Sequence, residues 1–467
     1  MNKFNSILKD TIVIGFGNLF SKGIIFFLVP LQTAMMTTSE YGLAEMLFNL
    51  LNVIIPIFTL GISEAGMRFS IDKANNKKSV FFVVTILPLI GGIVLALILL
   101  PVYFLCDEYK QYFFQLFVLY FCFSLREIYL QFSKGINKLR LYSFGSICFA
   151  VLLFLFSYYF LTIKNNGVNG YLNSYILANL ITVLYLIFCG KLRMYADFSI
   201  KYFDKDLFKS MILYSLPLVS NLLAWWITNL SNRYILAYYC SLNDVGIYSA
   251  LAKFSLIIST VYGVFFQAWQ INAAKNINMK NARNEFFTAI HDYFLFTVVL
   301  GSALFMMCSE PIAKIFIRGE FTESYQYLPG IVFMGTACCL PMYWGAIYGA
   351  LKNTKGAFYS TMCGSITSIA FNFLLIPEYG IYGAVISAVI SYCVVMIYRI
   401  IDINKIILID LNMIKHLLGF LCLLIQVYVY IFSPDNIIIG NTFLMIILLV
   451  VYYKNFIGLL YAVKNLK

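Results

Sequence analysis

Four basic side chains, Lys22, Arg126, Arg233 and Lys253, stand inside long apolar runs of a 467-residue chain that is 61% hydrophobic and only 12% charged. A cation at the centre of a bilayer costs a few kcal/mol or more, so such a residue faces a wet cavity or a partner. The chemistry these residues offer is anion binding. Arginine presents a planar fork to phosphate or carboxylate oxygens, and lysine presents a point charge. Acids in comparable runs make Glu45, Glu127 and Asp292 candidates for proton or cation coupling. Glu64 precedes Arg68 by four residues and is expected to form a helix-end ion pair with it. Arg126 and Glu127 are adjacent, which on a helix aims them about 100 degrees apart, so each is expected to find its own partner. His291 and His416 read as satisfied interfacial histidines. Trp225, Trp226 and Trp269 are candidate platforms for sugar rings.

These residues must be held by elements that tolerate lipid. With a mean hydropathy of +0.84 the chain has far more apolar surface than a soluble core could use. Windows of about 20 apolar residues predict an all-α polytopic membrane protein with about 14 spans, the first near 11–34, the second near 43–67 and the last near 437–453. Sorted by side, the cations outside the spans fall on one face, apart from Lys110, Lys164, Lys314 and Arg318. That asymmetry predicts cytoplasmic N- and C-termini and accounts for most of the net charge of +12 without a nucleic-acid partner. The 11 cysteines show no C-x-x-C pairs, so no metal site and no cofactor is expected. No external stretch carries a catalytic acidic cluster, which argues against an enzyme.

Two motifs recur. Tyr41-Gly42-Leu43 corresponds to Val245-Gly246-Ile247, and Gly167-Val168-Asn169-Gly170 to Gly380-Ile381-Tyr382-Gly383. The repeats predict a six-helix lobe at 1–190, a basic cytoplasmic linker at 191–211, a second six-helix lobe at 212–402 and an additional pair of helices, 13 and 14, at 403–467. Like-oriented six-helix repeats are typical of alternating-access transporters. In that setting Pro30 and Pro217 mark candidate hinges in the first helix of each lobe.

The stretches SNRYILAYYCSLNDVGIYSALAKF at 231–254 and FNFLLIPEYGIYGAVISAVIS at 371–391 resemble the polysaccharide-transporter branch of the multidrug/oligosaccharidyl-lipid/polysaccharide exporter superfamily, the O-antigen flippases. The resemblance rests on Arg233–Leu236, Val245–Ser249, Asn372, Ile376-Pro377, Tyr379-Gly380-Ile381 and Gly383-Ala384, with Glu40-Tyr41-Gly42 and Lys352–Lys355 in support. One departure stands out: the acid that often precedes the family's span-seven arginine is Asn232 here.

The resemblance implies a flippase of the bacterial inner membrane. It would carry an undecaprenyl-pyrophosphate-linked oligosaccharide, an O-antigen or capsule repeat unit, to the periplasmic leaflet. Lys22 and Arg233 would clamp the pyrophosphate, one from each lobe, with Arg126 and Lys253 as further cations. Membrane lipid, H+ or Na+, a glycan polymerase and glycosyltransferases are the implied partners. A lipid II flippase and a cation-coupled multidrug antiporter are the alternatives within the same superfamily.

Overall fold

The computed structural model describes residues 15, 17, 19–105, 110–197, 199–277, 283–432 and 437–464. Every regular element among them is helical, as lipid demands, because a helix satisfies its own backbone groups. In chain order these are α1 (Leu19–Met35), α2 (Thr38–Phe58), α3 (Ile62–Ile71), α4 (Lys77–Leu105), α5 (Lys110–Gly135), α6 (Leu139–Ser157), α7 (Gly167–Phe188) and α8 (Lys205–Tyr239). Then come α9 (Leu242–Asn276), α10 (Arg283–Met307), α11 (Ser309–Phe316), α12 (Leu328–Leu351), α13 (Thr354–Asn404), α14 (Met413–Phe432), α15 (Ile437–Val451) and α16 (Tyr453–Lys464). Among the described residues, 11 helices are long and apolar enough to cross a membrane, which makes the chain a multi-pass membrane protein. α13 is 51 residues long and is divided by non-helical backbone at Gly380, while α1 and α15 are shorter apolar helices where the first and last spans were expected. The expected start of span one, before residue 15, lies outside the described residues.

The second expected span, 43–67, is two helices rather than one. Pro56 lies in the last turn of α2, and Leu60 and Gly61 take positive φ (52° and 61°), so the chain turns and restarts at Ile62. Proline withholds an amide from the helix and positive φ ends it, neither of which disturbs a hydropathy window. The basic linker contains two short 3-10 turns, Leu192–Met194 and Ile200–Tyr202. Lys78 at the start of α4 reaches both Asp197 (3.5 Å) and the Tyr202 hydroxyl (3.3 Å).

The chain forms two compact units, Met1–Trp226 and Ile227–Lys467, with the division inside α8. In the first, α5 and α7 are central and pack against α3 and α6. In the second, α9 and α13 flank α12, of whose span 78% is buried, and α10 supports α14 and α15. The repeated motifs adopt repeated local structure. Thr37 caps α2 in a box with Glu40, and Ser241 caps α9, accepting from the Asp244 amide, at the same separation that relates the two glycine motifs beside them. Gly167 and Gly380 both take positive φ, 50° and 53°, which favours glycine strongly at both places.

Candidate functional site

The intramembrane charges divide into those that protein groups enclose and those left accessible. Lys22 is accessible: it is exposed on apolar α1 and makes no hydrogen bond or ion pair with any described residue. Arg68 is also exposed. The expected Glu64–Arg68 pair does not form; α3 starts only at Ile62, so Glu64 sits in its first turn and accepts from Gln131 Nε2 of α5 at 3.2 Å. Arg68, in the last turn, lines a cavity of about 270 Å³ with Phe69, Asp72, Asn75 and Tyr214.

Arg126 is enclosed, with 7% of its surface exposed. Contrary to the expectation from helix geometry, its guanidinium meets the neighbouring Glu127 carboxylate at 2.5 Å. The Cβ directions do diverge, but two long flexible side chains curl around the helix surface to meet, and burial of the guanidinium drives them to do so. Phe149 lies 3.7 Å from the guanidinium carbon and Phe123 5.1 Å, so the cation rests between ring faces. Glu45 is buried at 1% exposure; Tyr171 donates to one oxygen at 2.9 Å and Asn49 Nδ2 to the other at 3.2 Å.

In the second unit Arg233 is half-buried on α8. Its Nε donates to Ser249 Oγ of α9 at 2.9 Å, and its guanidinium lies 5.5 Å from the Tyr248 ring. Asn232, where the family often has an acid, is fully committed elsewhere. Its Nδ2 donates to the Tyr248 hydroxyl (3.0 Å) and the Ala384 carbonyl (3.3 Å), and its Oδ1 accepts from Asn372 Nδ2 at 2.7 Å. The two motif stretches are thereby tied to each other. A carboxylate at 232 would face the Ala384 carbonyl with no proton to share. Lys253 is half-buried on α9.

Trp269 is expected to be available to sugar, but it is 3% exposed, stacked on Tyr343 at 5.0 Å and donating Nε1–H to the Tyr343 carbonyl at 3.0 Å. Its polar edge and its face are both spent on packing, because α9 and α12 approach closely there. Trp226 is half-buried, and the Trp225 side chain lies outside the described ones. His291 is also not the satisfied interfacial residue expected: it is 7% exposed and its Nδ1 has no hydrogen-bond partner.

A second enclosed cation, in addition to Arg126, went unnoticed in the sequence. Arg399, near the end of α13, reads as a cytoplasmic flank residue, yet it is 5% exposed. It donates to the Pro341 carbonyl of α12 (2.7 Å), to Ser360 Oγ (3.0 Å) and to Thr361 Oγ1 (3.4 Å), with the Tyr348 ring 5.9 Å away. All of these partners are neutral. Gly345 makes room for it, since a Cβ there would stand 2.9 Å from Nη1. The only sequence signal was the coincidence of Arg399 with small polar residues at 360–361 and glycine at 345.

A membrane-spanning helical chain in two units, carrying both enclosed and accessible cations, matches the family model described as "Polysaccharide biosynthesis protein" over residues 7–270. The chain belongs to this family. No individual curated protein sequence matches it. Among solved structures, this family member is similar to the lipid II flippase MurJ in an inward closed conformation, with a TM-score of 0.66 at 16% identity, covering 96% of this chain and 100% of that one. It is also similar to an inward-facing MATE family multidrug resistance transporter of the MOP superfamily (TM-score 0.67, 14% identity, 90% and 95% covered). A third is a MOP superfamily transporter from Pyrococcus furiosus described as having a binding pocket of reverse polarity (TM-score 0.58, 13% identity, 90% and 96% covered). At these identities the likeness establishes the fold.

Proposed function

We propose that this protein is a flippase that moves a polyprenyl-pyrophosphate-linked oligosaccharide, an O-antigen or capsule/exopolysaccharide repeat unit, across the bacterial cytoplasmic membrane by alternating access, without chemical change to it. The observation that carries the proposal is Lys22. An exposed ammonium on an otherwise apolar helix, with no carboxylate partner among the described residues, fits a wet cavity in which an anionic group can reach it. A pyrophosphate head is such a visitor, and membership of a polysaccharide biosynthesis family supports one that bears a glycan.

In this reading Lys22 and Arg233 bind the pyrophosphate, with Lys253 as a supporting cation. Arg126 serves them indirectly, because its guanidinium is held by Glu127 and two phenylalanines. Of the coupling candidates Glu45 is the deeply buried one, whereas Glu127 is paired and Asp292 stands beside imidazoles. Return of the empty carrier driven by H+ or Na+ through Glu45 completes the cycle. The two six-helix lobes with a C-terminal helix pair, and cytoplasmic termini, belong to the same proposal.

The test is transport of defined lipid-linked oligosaccharides into reconstituted vesicles. Wild-type protein is expected to translocate pyrophosphate-linked substrate, and K22A and R233A are expected to lose the activity at unchanged abundance in the membrane. Full activity in both variants would sink the anion-binding role. Transport of cationic drugs, with none of the lipid-linked glycan, would replace the flippase reading by an antiporter.

A further inference from the structure

Two histidines that the sequence places far apart meet in the second unit. His291 and Asp292 lie near the start of α10, and His416 lies in the first turn of α14. One ligand atom from each of the three residues can be chosen such that all lie within 4.8 Å of one another. The imidazole rings of His291 and His416 are 5.1 Å apart. Both line a partly open cavity of about 120 Å³ whose remaining wall is apolar, including Leu340, Trp344, Leu417 and Phe420, with Asp292 beside it rather than in its lining.

The decisive feature is polar capacity left unused in an apolar place. His291 is 7% exposed, and its Nδ1 is buried without a hydrogen-bond partner; the same is true of Nε2 of His416. An unpaired buried polar atom costs about 1–3 kcal/mol, so one on each of two histidines that line the same cavity is a standing cost unless a ligand takes them up. Neutral imidazole nitrogen is the commonest protein ligand for borderline divalent metals, and a carboxylate oxygen completes a two-histidine, one-carboxylate set. Around a zinc ion, ligand atoms at about 2.0–2.2 Å stand about 3.4 Å from each other, so side-chain rotations closing roughly 1.4 Å suffice. The cavity has room for the ion and a fourth ligand such as water, which occupies about 30 Å³.

Lys415 is a competing cation. Its Nζ donates to Asn455 Oδ1 (2.7 Å) and lies 5.5 Å from the Tyr452 ring, and its charge still reaches Asp292 and His416, so a bound cation must outcompete it for the carboxylate.

We propose that His291, Asp292 and His416 form a binding site for a divalent metal ion of the zinc class, which staples α14 to α10. This inference is independent of the proposed flippase function and would stand if that reading failed. The staple has a mechanical reason: the segment before α14 is otherwise tied to α10 by the Asp410 amide donating to Thr288 Oγ1 at 3.0 Å.

The test uses the full chain, free of any histidine tag, in lipid nanodiscs. Zn2+ titrated calorimetrically is expected to bind at one equivalent per chain, and hydrogen exchange in α14 is expected to slow when Zn2+ is present and to recover on chelation. H416Q and D292N should each weaken binding at least tenfold, on the scale seen when metal-site partners are lost. H416Q alters a half-buried residue on a peripheral helix, so its folding is checked by the same exchange measurement without metal. Co2+ as a spectroscopic probe distinguishes nitrogen and oxygen ligands from cysteine thiolates. The proposal is overturned if the H416Q/D292N double variant binds Zn2+ as tightly as wild type, if the Co2+ spectrum shows thiolate ligation, or if the wild type takes up no stoichiometric metal.

Discussion

Replacing Arg399 by methionine separates the value of a buried charge from the value of its surroundings. The guanidinium is 5% exposed and carries no carboxylate partner, so its desolvation costs several kcal/mol. Against that stand three hydrogen bonds from a charged donor, at about 1.5–3 kcal/mol each, and a ring contact worth about 1 kcal/mol. The opposing quantities balance to within a few kcal/mol. Ser360 and Thr361 keep a second bond each, to the Ala357 carbonyl, so losing the arginine orphans little.

R399M therefore should change stability by no more than about 2 kcal/mol, since methionine fills similar volume without a charge. The double substitution Ser360→Ala with Thr361→Val instead keeps the charge and removes two of its three acceptors, leaving the Pro341 carbonyl, and should cost about 3–5 kcal/mol. For a unit of this size that is a fall in Tm of roughly 6–20 °C, against less than about 8 °C for R399M. Thermal unfolding by intrinsic fluorescence in nanodiscs ranks the two. If R399M unfolds at or below the temperature of the double variant, Arg399 is stabilising as an ion and the balance drawn here is wrong.

Two further outcomes are expected. Gly380→Ala forces a side chain into φ 53°, ψ −125° and should destabilise the second unit by about 1–3 kcal/mol although nothing crowds the site, the nearest atom being Cys240 Sγ at 3.9 Å; an unchanged Tm would show that the backbone there relaxes freely. Trp269→Phe loses the bond to the Tyr343 carbonyl and should cost about 1 kcal/mol while leaving the proposed glycan transport intact, whereas lost transport at unaltered Tm would restore the sugar-contact role.

Much of the architecture was legible because lipid is a severe solvent. Apolar windows marked the spans, and the paired glycine motifs at 167 and 380 marked two places where the backbone takes the same left-handed turn. What windows average over stayed hidden: the break at 59–61, and the division of the 354–404 helix, depend on one or two residues with positive φ. The motif asparagines were visible singly, but the bond between Asn232 and Asn372 joins helices distant in sequence. Arg399 was missed because hydropathy places it at a helix end, where a charge needs no explanation. Whether it is enclosed depends on Pro341, Gly345 and Ser360 arriving from other segments.

The sequence by itself determined that this is a helical membrane protein, where its charges cluster and which four cations stand within the spans. Composition suffices for this, since each span answers to lipid on its own. The tertiary structure decided how each charge is used. Arg126 and Arg399 are enclosed by protein, Lys22 and Arg68 are left accessible, and His291 is brought to His416. These outcomes are set by distances of a few ångströms between helices far apart in the chain, and at that range neighbouring groups decide whether a charge is satisfied.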